Sequence, residues 1–233
     1  MLEQIAEALL PHVVDYLLTK NKLTPRQQQV QNEFVADLTP TPRKTPYPLI
    51  VAVIGLTGAG KSSVARELVK HLGGTIITGK NIRGMLQERG EPVTQAPTIA
   101  EHLMIDILQH GGNAIVDSDH INMDAKNRAQ LRKRAAALGA HLVFLAVVCD
   151  FYIAIKRILT AWQENQPSEQ AIEKLVELLD RIPYHYEWSN RDGGRWRRKR
   201  LPFTPFAEIT TSSEGAWQAE VARVAAKLLT GKS

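Results

Sequence analysis

The chain has 233 residues, of which 44% are hydrophobic, with a formal net charge of +5 and a single cysteine, Cys149. This length allows one large core with room for an additional segment, and a lone cysteine excludes an internal disulfide and favours a reducing, cytoplasmic location. No run approaches the roughly 18 apolar residues of a membrane span, and the N-terminus lacks the pattern of a secretion signal, so we expect no membrane contact.

Two amphipathic helices are predicted at the N-terminus. Apolar side chains of residues 2–18 share one helical face, although Pro11 must kink or restart this helix. The second helix is predicted to begin at Thr24, because the threonine side chain can cap the first turn, Pro25 suits the first helical position and Gln27 completes a capping box.

A proline-rich segment separates these helices from the rest of the chain. Residues 39–48 contain four prolines, a composition that favours a stiff, extended linker. Residues 1–47 are therefore predicted to be a helical appendage, and residues 48–233 the main domain. The apolar faces of the appendage leave two alternatives open: they dock on the main domain, or they form a homodimer contact.

A strand, a glycine-rich loop and a helix are predicted in succession after the linker. The apolar, β-branched run of residues 48–54 is typical of a buried parallel strand, and helical spacing begins at Ser63. Between them stands the complete phosphate-binding pattern G-x-x-x-x-G-K-[ST]. Its residues are Gly55, Leu56, Thr57, Gly58, Ala59, Gly60, Lys61 and Ser62.

Each residue type in this loop has a physical reason. Glycines let the backbone turn tightly, so that successive N–H groups and the positive end of the following helix surround phosphate oxygens. Lys61 is expected to reach the β- and γ-phosphates, and the Ser62 hydroxyl to bind Mg²⁺, a cation that prefers oxygen ligands. The complete pattern in a strand–loop–helix context indicates binding of a nucleoside triphosphate rather than a turn without a ligand.

The remaining chain alternates between predicted strands and helices, as in an α/β protein. Such alternation with right-handed crossovers predicts a three-layer α/β/α fold with a mainly parallel, five-stranded sheet and ligands at the carboxyl ends of the strands. The later strands are predicted at residues 75–78, 113–117, 141–149 and 207–210, and the helices at residues 81–89, 98–109, 124–138, 151–162, 168–179 and 215–229.

Acidic residues follow one of these strands. Asp117 ends an apolar run, where a carboxylate would stand beside the phosphate-binding loop and hold Mg²⁺ directly or through water. Asp119 and His120 share this site or face a second substrate. For all three, a purely structural role such as capping a turn is the alternative.

A basic segment begins at Arg181 and is followed by six further Arg and Lys residues up to Arg200. This density of positive charge predicts a phosphate-clamping loop or a nucleic-acid surface, the alternative being a solvated loop without a ligand. Trp188 and Trp196 lie among these residues, and packing of the segment against the body is favoured over stacking on a base.

These motifs resemble the small P-loop kinases of the polynucleotide-kinase-like type, and the matching residues are 55–72, 117–128 and 150–157. Residues 55–65 and 79–83 are also similar to adenylyl-sulfate kinases. The resemblance implies a P-loop NTPase fold and an ATP- and Mg²⁺-dependent kinase. Implied catalytic residues are Lys61, Asp117, Arg83 and Asp119; implied nucleotide contacts are Gly55, Thr57, Gly58, Ala59, Gly60, Lys61, Ser62, Ser63 and Arg157; implied metal ligands are Ser62 and Asp117. The basic segment then corresponds to the lid, around residues 181–205.

One position departs from both kinase groups, which carry an acidic residue shortly before the arginine matched by Arg83. This chain has Lys80 there, and a solvated lysine stays protonated near neutral pH and cannot accept a proton. Asp117, Asp119 or Glu101 takes the role of base, or the acceptor brings an ionised oxygen, or transfer is slow. Arg83 and Lys80 together favour an anionic acceptor.

The sequence therefore predicts a cytoplasmic kinase that moves the γ-phosphate of ATP to a hydroxyl of an anionic small metabolite, nucleotide or nucleic-acid end. The alternative is a non-catalytic nucleotide-binding module whose basic lid binds a partner or nucleic acid.

Overall fold

The computed structural model describes residues 23–37, 41–117, 124–164, 179–213 and 215–231. The first predicted helix, Asp119, His120 and nearly all of the helix predicted at residues 168–179 lie outside the described residues.

Five parallel strands form the central sheet, in the order β2-β3-β1-β4-β7. All six residues of the central strand β1 are buried, which explains its continuous apolar sequence. The predicted α/β fold with a five-stranded sheet is confirmed. The strands are β1 (Leu49–Ile54), β2 (Thr75–Thr78), β3 (Ala114–Asp117), β4 (His141–Val148), β5 (Tyr186–Ser189), β6 (Arg195–Arg198) and β7 (Ala207–Thr210).

Helices cover both faces of the sheet and complete the three layers. Side chains of β1 alternate between two apolar clusters: Ile50 and Ile54 pack with α1, α3, α4 and α5, whereas Val51 and Val53 pack with α2, α6 and α7. The helices are α1 (Pro25–Asp37), α2 (Lys61–Leu72), α3 (Gly79–Glu88), α4 (Ala96–Gln109), α5 (Ala125–Ala137), α6 (Phe151–Glu164) and α7 (Ala216–Thr230). In the described part of the chain no helix is long and apolar enough to span a membrane.

Helix α1 begins as its capping signal predicts. The Thr24 N–H donates to Gln27 Oε1 at 3.0 Å and the Gln27 N–H donates to Thr24 Oγ1 at 3.3 Å, which is the reciprocal capping box. Val30 and Phe34 are buried in the cluster with α3 and α4, so this helix docks on the main domain. Whether the N-terminal segment also forms a homodimer stays a prediction.

The proline-rich segment is hydrogen-bonded to the main domain over its described part. Thr41 forms a β-bridge with Gly74, and the Lys44 N–H donates to the Leu72 carbonyl at 2.8 Å. These bonds hold the chain between α1 and β1 along the end of α2.

Strands β5 and β6 form an antiparallel hairpin that the sequence does not reveal. Each has four residues, and the pairing places Glu187 opposite Arg197 and Trp188 opposite Trp196. Strands this short, rich in charge and mostly exposed, lack the apolar alternation by which strands are recognised.

Candidate functional site

The phosphate-binding loop lies at the carboxyl end of β1 and is packed tightly against β4 and α6. A Cβ atom at Gly58 would stand 2.5 Å from the Ala154 carbonyl oxygen, and Gly58 has φ +83°; a Cβ at Gly55 would stand 2.5 Å from the Val147 carbonyl oxygen. Only glycine fits at these two positions, because any side chain would overlap a carbonyl oxygen of β4 or α6.

Positive charge is concentrated where the phosphate-binding loop leads into α2. Gly60 precedes α2 and has no side chain to cap the helix, which leaves the first N–H groups of α2 for an external anion. The Lys61 ammonium donates to the carbonyl oxygens of Gly55 at 2.8 Å and Leu56 at 3.3 Å. Unscreened helix N–H groups next to an ammonium fit the phosphates of a nucleotide.

Ser62 and Asp117 meet at the same edge. Asp117 ends β3, which pairs with β1 in a register that sets Asp117 beside Val53, and the Ser62 hydroxyl donates to Asp117 Oδ2 at 2.7 Å. Two hard oxygen donors beside an anion cradle are the set that Mg²⁺ uses in phosphate sites. The described residues contain no group of three or more His, Cys, Asp or Glu side chains that could hold a metal by themselves.

Two further residues hold the loop from the opposite side. The buried Thr211 hydroxyl donates to the Ala59 carbonyl at 2.6 Å, and the Arg157 guanidinium donates to the carbonyls of Thr211 at 2.7 Å and Gly58 at 3.4 Å. In the structure Arg157 braces the loop backbone, and its predicted role as a nucleotide contact stays a prediction. Sequence reasoning missed Thr211; its position directly after the last strand, at the carboxyl edge of the sheet, was the available signal.

Thr211→Val tests this support. The substitution keeps the size of the side chain but leaves the Ala59 carbonyl without its hydroxyl donor, so we expect a loss of about 1–3 kcal/mol in the free energy of unfolding. Urea unfolding measures it, with Thr210→Val, an exposed neighbour in β7, as the matched control. Equal losses in the two variants would contradict the assigned role.

The basic segment folds as the β5–β6 hairpin and is fixed to the body by aromatic packing. The Trp196 ring stacks on Phe151 of α6, with centroids 5.0 Å apart, and contacts Trp188 edge-on. Arg198 forms two hydrogen bonds with Glu208 of β7, and these bonds hold the pKa of Glu208 below its ordinary value. The contact of Trp196 with Phe151 agrees with the prediction that the tryptophans pack against the body, whereas Trp188 is 52% exposed and its ring contacts Trp196 within the hairpin.

Tyr186 anchors the start of this hairpin. It is buried, its hydroxyl donates to the Cys149 carbonyl, and burial raises the pKa of the phenol to about 12. Cys149, predicted as a core residue, is a buried free thiol.

The raised pKa predicts an alkaline loss of stability. Above pH 10 the unfolded phenol ionises while the folded phenol stays neutral, so the contribution of Tyr186 is complete below pH 10 and disappears as the pH rises towards 12. The free energy of unfolding of the wild type should therefore fall more steeply with pH between pH 10 and about pH 12. Tyr186→Phe should be less stable than the wild type at neutral pH and should lack this additional fall. Urea titrations at a series of alkaline pH values measure both curves, and parallel curves would exclude the assignment.

A cavity of about 560 Å³ opens between the phosphate-binding loop and the helix that follows β2. We call it the Lys80 cavity. Lys80 and the loop serine Ser62 both line it, whereas Arg83, on the same helix α3, is not among its described lining residues, so the acceptor-binding role of Arg83 stays a prediction. The lining residues are Phe34, Ser62, Arg66, Ile76, Thr78, Lys80, Asn81, Gly84, Met85 and Glu88.

The carboxylates considered as a base have different surroundings. Glu101 is 6% exposed, and its carboxylate forms an ion pair with the Arg134 guanidinium at 2.5 Å. Asp117 accepts the Ser62 hydroxyl, and Asp119 lies outside the described residues. Lys80 is exposed.

Comparison with known proteins identifies relatives of this fold. The sequence model of a family described as an AAA domain matches residues 50–181. A candidate kinase from Chloroflexus aurantiacus has a similar structure, with 16% identity, 80% of this chain and 98% of that chain covered, and a TM-score of 0.55. No curated protein matches the chain significantly.

Two kinases of named activity are more distant in structure. The APS kinase CysC from Mycobacterium tuberculosis, in complex with AMPPNP and APS, is 19% identical, with 79% of this chain and 99% of that chain covered and a TM-score of 0.48. The shikimate kinase from Acinetobacter baumannii, in complex with shikimate, is 17% identical, with 79% and 95% covered and a TM-score of 0.44.

Proposed function

Because this chain belongs to the family described as an AAA domain, with a P-loop kinase-like fold, we propose that it is an ATP-dependent kinase. In this proposal it transfers the γ-phosphate to a hydroxyl of an anionic small metabolite, nucleotide or nucleic-acid end. The observation that carries the proposal is the contact of 2.7 Å between Ser62 and Asp117 beside a complete phosphate-binding loop.

On the donor side, the loop N–H groups and Lys61 would hold the phosphates, and Ser62 and Asp117 would hold Mg²⁺. The nucleotide with its Mg²⁺ supplies an activated phosphoryl group whose negative charge is partly neutralised. Phosphoryl transfer depends on positioning and charge neutralisation, and the braced loop supports both, because Thr211 and Arg157 fix the backbone that carries the N–H groups.

On the acceptor side, the acceptor oxygen would form the new bond to phosphorus as the bond to the ADP oxygen breaks, and the hydroxyl proton would leave. The ion pair between Glu101 and Arg134 argues against Glu101 as the group that takes this proton. Asp117 and Asp119 remain the proposed candidates, together with an acceptor that is already ionised. Arg83 is proposed to orient the acceptor.

The proposal is tested by an ADP-formation assay of the purified protein with ATP and Mg²⁺ against a panel of hydroxyl acceptors. We expect at least one anionic acceptor to stimulate ADP formation above the level of a Lys61→Ala control. A panel without any stimulation, with nucleotide binding intact, would contradict the catalytic part of the proposal.

A second candidate is a nucleotide-binding module without transfer activity. The exposed Lys80, at the position where related kinases are expected to carry an acid, favours it. Tight ATP binding in calorimetry with silent transfer and hydrolysis assays would support this candidate, and robust transfer would exclude it. If the basic hairpin also binds nucleic acid, affinity should fall steeply as salt is added.

A cytoplasmic location and a homodimer through the N-terminal helices remain parts of the proposal. The complete burial of Val30 against the main domain removes this side chain from any dimer contact.

A further inference from the structure

The polar residues that line the Lys80 cavity include one from the phosphate-binding loop. Ser62, the loop serine that faces Asp117, is part of its wall, so a molecule in the cavity lies next to the place proposed for the transferred phosphate. At about 560 Å³ the cavity is within the range of about 300–1,000 Å³ found for small-molecule sites.

The charge of the lining favours an anion. Arg66 and Lys80 are both exposed side chains of the lining, and Glu88 is its one acidic member among the described residues. Two cations against one carboxylate leave an excess of positive charge, while the Asn81 amide adds a neutral donor and acceptor.

Other lining residues are apolar, and one of them lies outside the residues matched by the family model. Ile76 and Met85 belong to the main domain, but Phe34 lies on α1, whereas the matched residues are 50–181. Phe34 is only 5% exposed. An ordered ring at the edge of a cavity offers an apolar contact at little cost in side-chain entropy.

The position of this ring is fixed by the contacts of α1. The capping box of Thr24 and Gln27 sets the start of the helix, and an ion pair between Glu33 and Arg89 joins α1 to the end of α3. The N-terminal helix therefore acts as a fixed wall of the cavity.

We propose that the Lys80 cavity binds the acceptor and selects an anion that also carries an apolar group, with Lys80 and Arg66 attracting the anionic group and Phe34 contacting the apolar one. The inference rests on the proposed kinase function, because it identifies the cavity as the acceptor site. It makes the N-terminal helix a determinant of specificity.

Phenyl phosphate and methyl phosphate serve as probes, since they share the anionic group and differ in the apolar one. Each is titrated into the full-length protein after saturation with AMPPNP and Mg²⁺, so that the phosphate-binding loop is already filled. The amide signals of Asn81 and Gly84 in NMR spectra report binding in the cavity itself. We expect phenyl phosphate to bind about tenfold more tightly than methyl phosphate.

Two variants separate the contribution of the positive charge to binding from that of the aromatic ring. Lys80→Gln should weaken the binding of both probes by a similar factor. Phe34→Leu, which keeps the site apolar and most of the side-chain volume, should reduce the preference for phenyl phosphate and leave the affinity for methyl phosphate unchanged. Lys126→Gln, at an exposed position on α5, is the control for loss of a positive charge. Equal affinities of the two probes, or an unchanged preference in a folded Phe34→Leu protein, would overturn the inference.

The same titrations distinguish this inference from the proposed function. If AMPPNP does not bind, the kinase proposal fails, and shifts of Asn81 and Gly84 without nucleotide still measure the preference between the probes. If AMPPNP binds and the probes leave these signals unchanged, the inference fails and the kinase proposal stands.

Discussion

Lys61→Ala is expected to lower the rate of γ-phosphate transfer by about 10²–10³-fold while the protein remains folded, because a preorganised positive charge at the transferred phosphate is lost. In the structure the ammonium lies over the loop, bonded to the carbonyls of Gly55 and Leu56, so its removal takes no contact away from the core. ADP formation with a stimulating acceptor measures the rate, and thermal unfolding measures the fold.

Lys70→Ala is the matched control, since Lys70 lies on the same helix, is exposed and pairs with Glu67. It should transfer phosphate at the wild-type rate. If Lys61→Ala were as active as Lys70→Ala, the loop would not be the phosphate site.

Asp117→Asn is expected to raise the Mg²⁺ concentration needed for half-maximal activity and to lower transfer by about 10²-fold or more at fixed Mg²⁺. The amide keeps the shape of the side chain and can still accept the Ser62 hydroxyl, but it no longer carries the negative charge that favours a divalent cation. Titration of activity against Mg²⁺ measures the shift.

The control for this variant is Asp106→Asn on α4, which removes an aspartate charge away from the loop and should leave the Mg²⁺ dependence unchanged. Ser62→Ala should shift the dependence in the same direction as Asp117→Asn. A wild-type Mg²⁺ profile in Asp117→Asn would exclude the proposed metal site.

The features that were predictable from the sequence are those whose signal is local. The apolar run of β1 predicts a strand, the loop glycines predict a tight turn, and the capping box at Thr24 predicts a helix start. Each of these patterns lies within a few residues, and all three structures are found as predicted. The three-layer α/β fold and the resemblance to small P-loop kinases are confirmed. The contact between Ser62 and Asp117 also agrees with the expectation that both lie at the carboxyl edge of the sheet.

The features that escaped prediction depend on contacts between distant parts of the chain. Thr211 reaches Ala59 across more than 150 positions of sequence, and no local pattern marks a threonine for that role. The β5–β6 hairpin is held by Trp196 on Phe151 and by Arg198 on Glu208, which are tertiary contacts. Docking on the main domain, as seen for Phe34 against α3 and α4, and a homodimer contact were both open from the sequence. An apolar helix face shows that the face is covered but not which surface covers it.

The roles of the candidate site residues stay predictions, and the acceptor side is where they most need a test. Lys80 follows β2 in the structure as it does in the sequence pattern, and it lines a cavity that reaches Ser62. A lysine there is suited to attract an anion rather than to accept a proton. The presence of Lys80, where the resembling kinases carry an acidic residue, therefore concerns the choice of the bound acceptor as well as the identity of the base.

The most direct test of the account is to follow the γ-phosphate itself. The protein is incubated with Mg²⁺ and ATP labelled in the γ-phosphate, together with the acceptor panel, and the labelled products are separated and counted. The proposed kinase activity predicts label in a phosphorylated acceptor for the wild type and its near-complete loss in Lys61→Ala. Label that stays on ATP, or appears only as inorganic phosphate with every acceptor, would contradict it.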